Sequence, residues 1–326
     1  MGDIFGKWFF GEDSNFSASC LSRAADFFGE GLGMRFRMEL LILALHDNEK
    51  RREALRFLAA HREFHPKLAP MLWDSAGIVF VLIQEVSSAY RMVRTPFLTV
   101  AAAERASDAL ILLKCLASHS DAKRLLVNAK LQEYLYPFLT TAHRDELHEN
   151  LRLRSLEVID KILEVEDEEI IKALAEARMV LFCLRCIVVS EIPGKEVAAL
   201  VLQRILMHEA GMQCCSNPIC RFATISHTLT FAVEERGVVL SRLLLRRVAA
   251  CFLSLSKHSS APELLHNSLP MRLGDPYIAN ILEAEPIARD ILRAAAANLT
   301  CSGGSGRRPV ELRLGPIGRP PGSRVN

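Results

Sequence analysis

From Leu151 to Leu163 the chain reads L-R-L-R-S-L-E-V-I-D-K-I-L. Leu156, Ile159 and Leu163 recur at three- and four-residue steps, while Arg152, Glu157, Asp160 and Lys161 fall mostly on the other side. That spacing gathers the apolar positions on one face of an α-helix. Asp108 to Ser118, Lys195 to His208 and Val239 to Ser256 carry the same pattern, the last more apolar. Three of these four stretches are followed by a short polar break and a second apolar series. After Ala117-Ser-His-Ser come Ala122, Leu126 and Ala129; after Val165-Glu-Asp-Glu come Ile170, Leu174 and Ala177; after Ser256-Lys-His-Ser come Ala261, Leu265 and Ser268. The first two series are offset by 48 residues and the third begins 91 residues later, which leaves room for a weaker unit around Met212.

A period in the forties with two or three helices per unit is the signature of an armadillo or HEAT repeat. The predicted fold is therefore all-α, an armadillo/HEAT-type helical-repeat solenoid of at least five units starting near Phe36. Such units cannot hide their apolar faces alone, so neighbours stack and share one core. The stretch K-L-A-P-M-L-W-D-S-A-G-I-V-F-V-L-I-Q-E-V, Lys67 to Val86, tests this picture, because it is apolar nearly throughout. A core strand competes, but no alternating strand and helix pattern occurs elsewhere. It reads as one buried helix, with Pro70 in the first turn. Leu72, Ala76, Phe80 and Ile83 would lie along one stripe, and Ile78, Val81 and Leu82 on the other side.

Composition bounds the rest. The 326 residues are 50% hydrophobic but only 7% aromatic, which suits helices packed on helices. The net charge is +2; residues 301–326 contribute +4 through Arg307, Arg308, Arg313, Arg319 and Arg324 against Glu311, leaving the body at about −2. A body of that charge is not the footprint of a dedicated nucleic-acid binder; any nucleic-acid binding is expected to be weak and to come from the tail. Residues 1–34 show no sustained period and are expected to be a mobile extension, 35–300 the armadillo-repeat domain, and 301–326 a disordered tail rich in Arg, Gly and Pro. Nine scattered cysteines and the lack of an apolar leader suggest a reducing compartment, cytoplasmic with the nucleus as a second location. Met1-Gly2 lacks the Ser or Thr that myristoylation needs, since position 6 is Gly6. No run approaches the roughly 20 apolar residues of a membrane span, so no membrane partner is expected.

Phosphate-binding glycine loops and the nucleophile elbow are absent from the sequence. His61-Arg-Glu-Phe-His65 puts two imidazoles at i and i+4, yet Glu63 sits midway between them, not beside the first as a zinc protease requires. Cys183-Leu-Arg-Cys186 lies inside an apolar helical stripe and reads as core packing. Cys214, Cys215 and Cys220, around Asn217-Pro218, are the more reactive candidates, because a loop would expose them. No catalytic residue, metal or cofactor is assigned, and the chain is not expected to be an enzyme.

A resemblance adds to this reading. L-A-P-M-L-W-D-S-A-G (Leu68 to Gly77) followed by L-I-Q-E-V, A-L-I-L-L-K-C-L-A-S-H (Ala109 to His119), L-Y-P-F-L (Leu135 to Leu139) and L-R-L-R-S-L-E-V-I (Leu151 to Ile159) resemble the cell-differentiation family of the Rcd-one/Caf-forty type. Cys183 to Arg185, Val197 to Leu206, Arg221-Phe222 and Ser268 to Pro270 follow in the same order, so the likeness covers roughly Phe36 to Leu299. That family is the armadillo-repeat subunit, subunit nine, of the CCR–NOT mRNA deadenylase assembly. The resemblance implies a non-catalytic adaptor in mRNA decay and translational repression. It would dock on the NOT scaffold subunit and present a groove to short linear motifs of RNA-associated repressor proteins.

Carried over by position, the resemblance implies partner contact at Trp73, Asp74 and Phe80, and groove contact at Val197, Arg221 and Phe222. A helical peptide would lay its apolar face on Val197 and take a polar contact from Arg221. Where the family has two glycines beside a tryptophan slot, this chain has Glu157 and Asp160, and acids there are expected to repel the ring. Two family arginines are replaced by Ala250 and Ser254. The alternative is a diverged paralogue outside the complex, binding other peptides or nucleic acid. A second copy of the chain is retained as a candidate partner.

Overall fold

A computed structural model of the chain describes residues 30–216, 219–234, 241–258, 261, 265 and 276–302. Regular structure among them is entirely helical. Helices α1 (Glu30–Ala44) and α2 (Arg51–His61) open the array. Next come α3 (Leu68–Asp74), α4 (Ile78–Ser88), the single turn α5 (Tyr90–Val93) and the long α6 (Val100–Leu116). Three units of three helices follow: α7 (Ser120–Asn128), α8 (Leu131–Thr140) and α9 (Glu146–Leu163); α10 (Glu168–Glu176), α11 (Met179–Val189) and α12 (Ile192–Met207); α13 (Glu209–Ser216), α14 (Ile219–Glu234) and α15 (Arg242–Ser256). The pair α16 (Pro276–Ala284) and α17 (Pro286–Ser302) completes the described helices.

The closing helices of the units, α2, α6, α9, α12, α15 and α17, begin 44 to 50 residues apart, and each packs on the next. The opening helices α7, α10 and α13 form a second stack, and the middle helices α8, α11 and α14 a third. The unit expected around Met212 is present as α13 to α15. Leu156, Ile159 and Leu163 lie in the core, within one apolar cluster that runs from Met38 to Leu299.

The polar breaks after Ala117 and Val165 are helix starts. Asp167, inside Val165-Glu-Asp-Glu, accepts from the N–H groups of Glu169 and Ile170 at the head of α10. Thr99, Asp145 and Ser241 cap α6, α9 and α15 in the same way. Each cap satisfies donors that the first helical turn would otherwise leave bare.

The stretch from Lys67 to Val86 corrects one expectation. It is not one helix but two, α3 and α4, and the chain from Ile78 to Val93 runs at 99° to α3. The break is Gly77, whose φ of +79° lies in the left-handed region that glycine enters without steric cost. Ser75 closes α3 by donating its hydroxyl to the Met71 carbonyl at 2.8 Å. The predicted stripe is therefore split: Leu72 is fully buried, but Ala76 is exposed and Phe80 is 77% exposed. Among the described residues, no single helix is long and apolar enough to cross a membrane.

Two buried glutamates tie the array near its two ends. Glu85 of α4 is 2% exposed. It accepts from Arg51 Nη1 of α2 at 3.2 Å and from Arg105 Nε and Nη2 of α6 at 2.9 and 2.5 Å. Arg51 also donates to the Leu45 carbonyl at 2.7 Å. Glu285, just before α17, accepts from Arg246 Nε of α15 at 3.1 Å.

Candidate functional site

Two surfaces remain after the core is accounted for: the bend between α3 and α4, and the face of the closing helices turned away from the core. At the bend, Trp73 is half-buried and its indole stacks on His119 at 5.8 Å and 19°. The ring of Trp73 thus packs α3 against the turn after α6. Asp74, Ala76 and Gly77 are exposed around the corner, and Phe80 stands out from the first turn of α4. The ring is a large apolar surface left open to solvent. Its burial would contribute about 1.5–3 kcal/mol.

On the closing helices the uncovered positions recur at three- and four-residue steps: Asn150, Arg154, Glu157 and Lys161 on α9; Val197, Leu200 and Arg204 on α12; Arg247 and Ala250 on α15. Stacked side by side, these faces form one continuous uncovered surface, here termed the groove face. Its polar groups are bonded to one another from helix to helix. Ser107 Oγ donates to Asn150 at 3.2 Å, and Lys114 pairs with Glu157 at 3.3 Å. Arg154 also reaches Glu157 at 3.0 Å, Arg204 holds Asp160 at 2.8 Å, and Arg247 donates to Gln203 at 3.3 Å. Asp108 sits among these groups. Burial pushes its carboxyl up to about 6, Glu104 adds to the shift, and Arg56 and Arg154 oppose it.

Glu157 and Asp160 thus point at cations of neighbouring helices and act as rungs of a ladder across the groove. This role was not read from the sequence. The available signal was the recurrence of opposite charges about one repeat apart, as in Asp160 and Arg204.

The residues expected to form the groove are only partly brought together. Val197 is half-buried on the second turn of α12, on the uncovered face. Arg221 lies in the first turn of α14, a middle helix, and its Nη1 donates to the Cys214 carbonyl at 2.6 Å. Val197 and Arg221 thus stand on the closing helix of one unit and the middle helix of the next, both partly exposed. Phe222 is fully buried, with its ring 5.8 Å from His258. It props α14 on the following segment and offers no surface to a partner. The sequence could not show this, because a helix repeat leaves the direction of a single apolar residue open.

The chemistry-bearing residues elsewhere are packed. Cys183 and Cys186 are buried in α11, and burial pushes the Cys186 thiol up to about 12. Cys215 was expected on an exposed loop; it is instead buried in α13, with its thiol also pushed up to about 12 by burial. The side chain of Cys220 lies outside the described residues. His61 stacks on Phe57 at 4.0 Å. Among the described residues, no group of three or more His, Cys, Asp or Glu is placed to hold a metal ion.

Comparison with known proteins gives a consistent picture. The profile of the cell differentiation family, Rcd1-like, matches residues 41–299. Over 259 residues the chain is 32% identical to cell differentiation protein rcd1 of Schizosaccharomyces pombe, spanning 79% of this chain and 92% of that protein. Over 234 residues it is 34% identical to protein CAF40 of Saccharomyces cerevisiae, spanning 72% of this chain and 63% of that protein, less than two thirds of its length. Similar solved structures include a computationally designed armadillo repeat protein for modular peptide recognition, 15% identical with a TM-score of 0.60, covering 80% of this chain and 99% of that one. An engineered protein is 18% identical with a TM-score of 0.59, covering 82% and 98%. At these identities the structural likeness establishes the armadillo-type fold alone.

Proposed function

The chain belongs to the cell differentiation family, Rcd1-like, which is linked to the CCR–NOT complex, and from that premise we propose that it is a non-catalytic adaptor of the mRNA deadenylase. It docks on the NOT scaffold subunit through the α3–α4 bend and presents the face of its closing helices to short linear motifs of RNA-associated repressors. Family and fold are of a kind typical of non-catalytic scaffold proteins. The proposed location is the cytoplasm, with the nucleus as a second site.

Phe80 is the observation that carries the docking reading. It is 77% exposed, sits on a bend fixed by Gly77, and occupies the segment where the resemblance places partner contact. The test is affinity purification of the full chain from cells, followed by identification of co-purifying proteins. Wild type should retain the NOT scaffold subunit. Phe80→Glu should lose it while keeping its melting temperature, because the side chain contributes little to the core. Retention of the scaffold by Phe80→Glu would exclude the bend as the docking surface.

A second reading, a paralogue acting outside the complex, is favoured by Glu157 and Asp160. These acids stand where the resemblance places glycines beside a tryptophan slot, and both are engaged in the ladder. Absence of every deadenylase subunit from the wild-type eluate would select that reading.

A further inference from the structure

A cavity of about 530 Å³ opens between the last turns of α12 and α15 and is closed at one end by the start of α13. Its floor is made of the small side chains of Ala250 and Ser254, and its apolar wall includes Met207, Met212 and Leu253. Met207 is 64% exposed. Unbranched thioethers adapt to the shape of an inserted side chain, which suits a pocket that must accept a flexible guest. At the rim stands Lys257, exposed and without an ion pair among the described residues. This sets the pocket apart from the middle of the groove, where Lys114, Arg154 and Arg204 are each paired. Arg247, one turn before Ala250, adds a second positive charge whose described side-chain bond goes to the neutral Gln203. Glu209, also on the lining, accepts from the Gln213 side-chain amide at 3.2 Å.

We propose that this cavity is a side-chain subsite for a peptide in which a large aliphatic residue is followed by an acidic one. The aliphatic group enters between Met207, Met212 and Leu253 over the floor of Ala250 and Ser254, and the carboxylate pairs with Lys257. The proposal deepens the peptide-binding reading above and rests on it. It commits to a peptide because the lining combines the apolar Leu206, Met207, Met212 and Leu253 with a lone lysine and the carboxylate of Glu209, whereas a nucleic-acid strand needs a track of cations along its backbone.

The experiment uses the purified full chain with methyl-¹³C methionine, and the capped dipeptide Leu-Glu amide as probe. The signals of Met207 and Met212, assigned by single Met→Ile variants, should shift saturably as the probe is added. Ala250→Phe fills the floor and should weaken that response by about tenfold or more. If Ala250→Phe proves unfolded by circular dichroism, Met207→Glu at its exposed position replaces it, read through the Met212 signal, with the same loss expected. Leu-Lys amide should bind roughly threefold or more weakly than Leu-Glu amide, and Lys257→Glu should reverse that order.

No saturable shift of either methyl, or an undiminished response in Ala250→Phe, overturns the subsite. Equal binding of Leu-Lys and Leu-Glu amides overturns the carboxylate assignment. Saturable shifts of the same methyls by a short oligouridine that competes with the dipeptide overturn the choice of peptide. Failure here leaves the co-purification result with Phe80→Glu untouched, so the two ideas fall separately.

Discussion

The α3–α4 bend and the floor of the groove distribute polarity in opposite ways. In α4 the charged Glu85 is 2% exposed while Phe80, five residues earlier, is 77% exposed. On α9 and α12 most apolar residues go inward, Val197 and Leu200 being partly uncovered, and the uncovered charges are matched, Glu157 with Lys114 and Asp160 with Arg204. One surface carries an aromatic ring with no cover; the other has its polar groups already engaged. A partner gains apolar burial at the bend. At the middle of the groove it must first break bonds the protein makes with itself. Specific binding in the groove is therefore expected where the rungs are no longer ion pairs, beyond Arg204 toward α15, where Arg247 meets only the neutral Gln203.

The sharpest way to break this contrast is Glu85→Ala. Removing the carboxylate leaves Arg51 buried without its partner, and loss of about 3–5 kcal/mol of unfolding free energy is expected. Urea denaturation followed by circular dichroism measures it, and a loss below ~1 kcal/mol would show that Glu85 is no more than a surface group.

Next comes Val197→Glu, which places a charge on the groove face where a peptide would bury apolar surface. Motif binding should fall on the order of a hundredfold at a near-native melting temperature. A large fall in melting temperature would place Val197 in the core instead.

The third probe is pH. The Asp108 carboxyl is raised to about 6 in the fold, so between its ordinary range and that value the folded chain holds the proton more tightly than the unfolded chain. Stability contributed by this group is present at low pH and is lost as pH rises from about 4 to about 6. Asp108→Asn should flatten that slope and raise stability at pH 7, by on the order of 1 kcal/mol after allowing for its partial exposure.

Glu157→Gln should cost under about 1 kcal/mol, because its ion pairs are partly solvated. Phe80→Ala should change stability by no more than about 0.5 kcal/mol while weakening scaffold binding. If Phe80→Ala destabilised the chain by more than about 1 kcal/mol, the contrast between the two surfaces would collapse.

The repeat architecture was legible in the sequence because it rests on periodicity. Leu156, Ile159 and Leu163 fall in the core as their spacing requires, and Asp167 caps α10 where the polar break stands. The bend at Gly77 was not legible in the same way. A run of apolar residues carries no mark of where a helix turns a corner, and only Ser75 and Gly77 hinted at it. Arg221 and Phe222 show the other limit. Motif position placed both at a partner surface, but tertiary packing sends Phe222 into the core, while Arg221 stays partly exposed and donates to the Cys214 carbonyl. The charge ladder went unread because its bonds between helices join residues about one repeat apart, and a single-helix view sees only a solvated face.

The two buried glutamates bear on how the array comes apart. A linear stack of repeats melts from its ends, because a terminal unit has a neighbour on one side only. Here Glu85 fastens the boundary between the first two closing helices, and Glu285 fastens the last one through Arg246. Fraying that frees α2 at one end or α17 at the other must therefore break an ion pair made by a buried glutamate. That raises the coupling between units where a plain repeat protein is weakest. The array should then unzip in one cooperative step, with amide hydrogen exchange in α2 and α17 slowed toward the rate of the central helices.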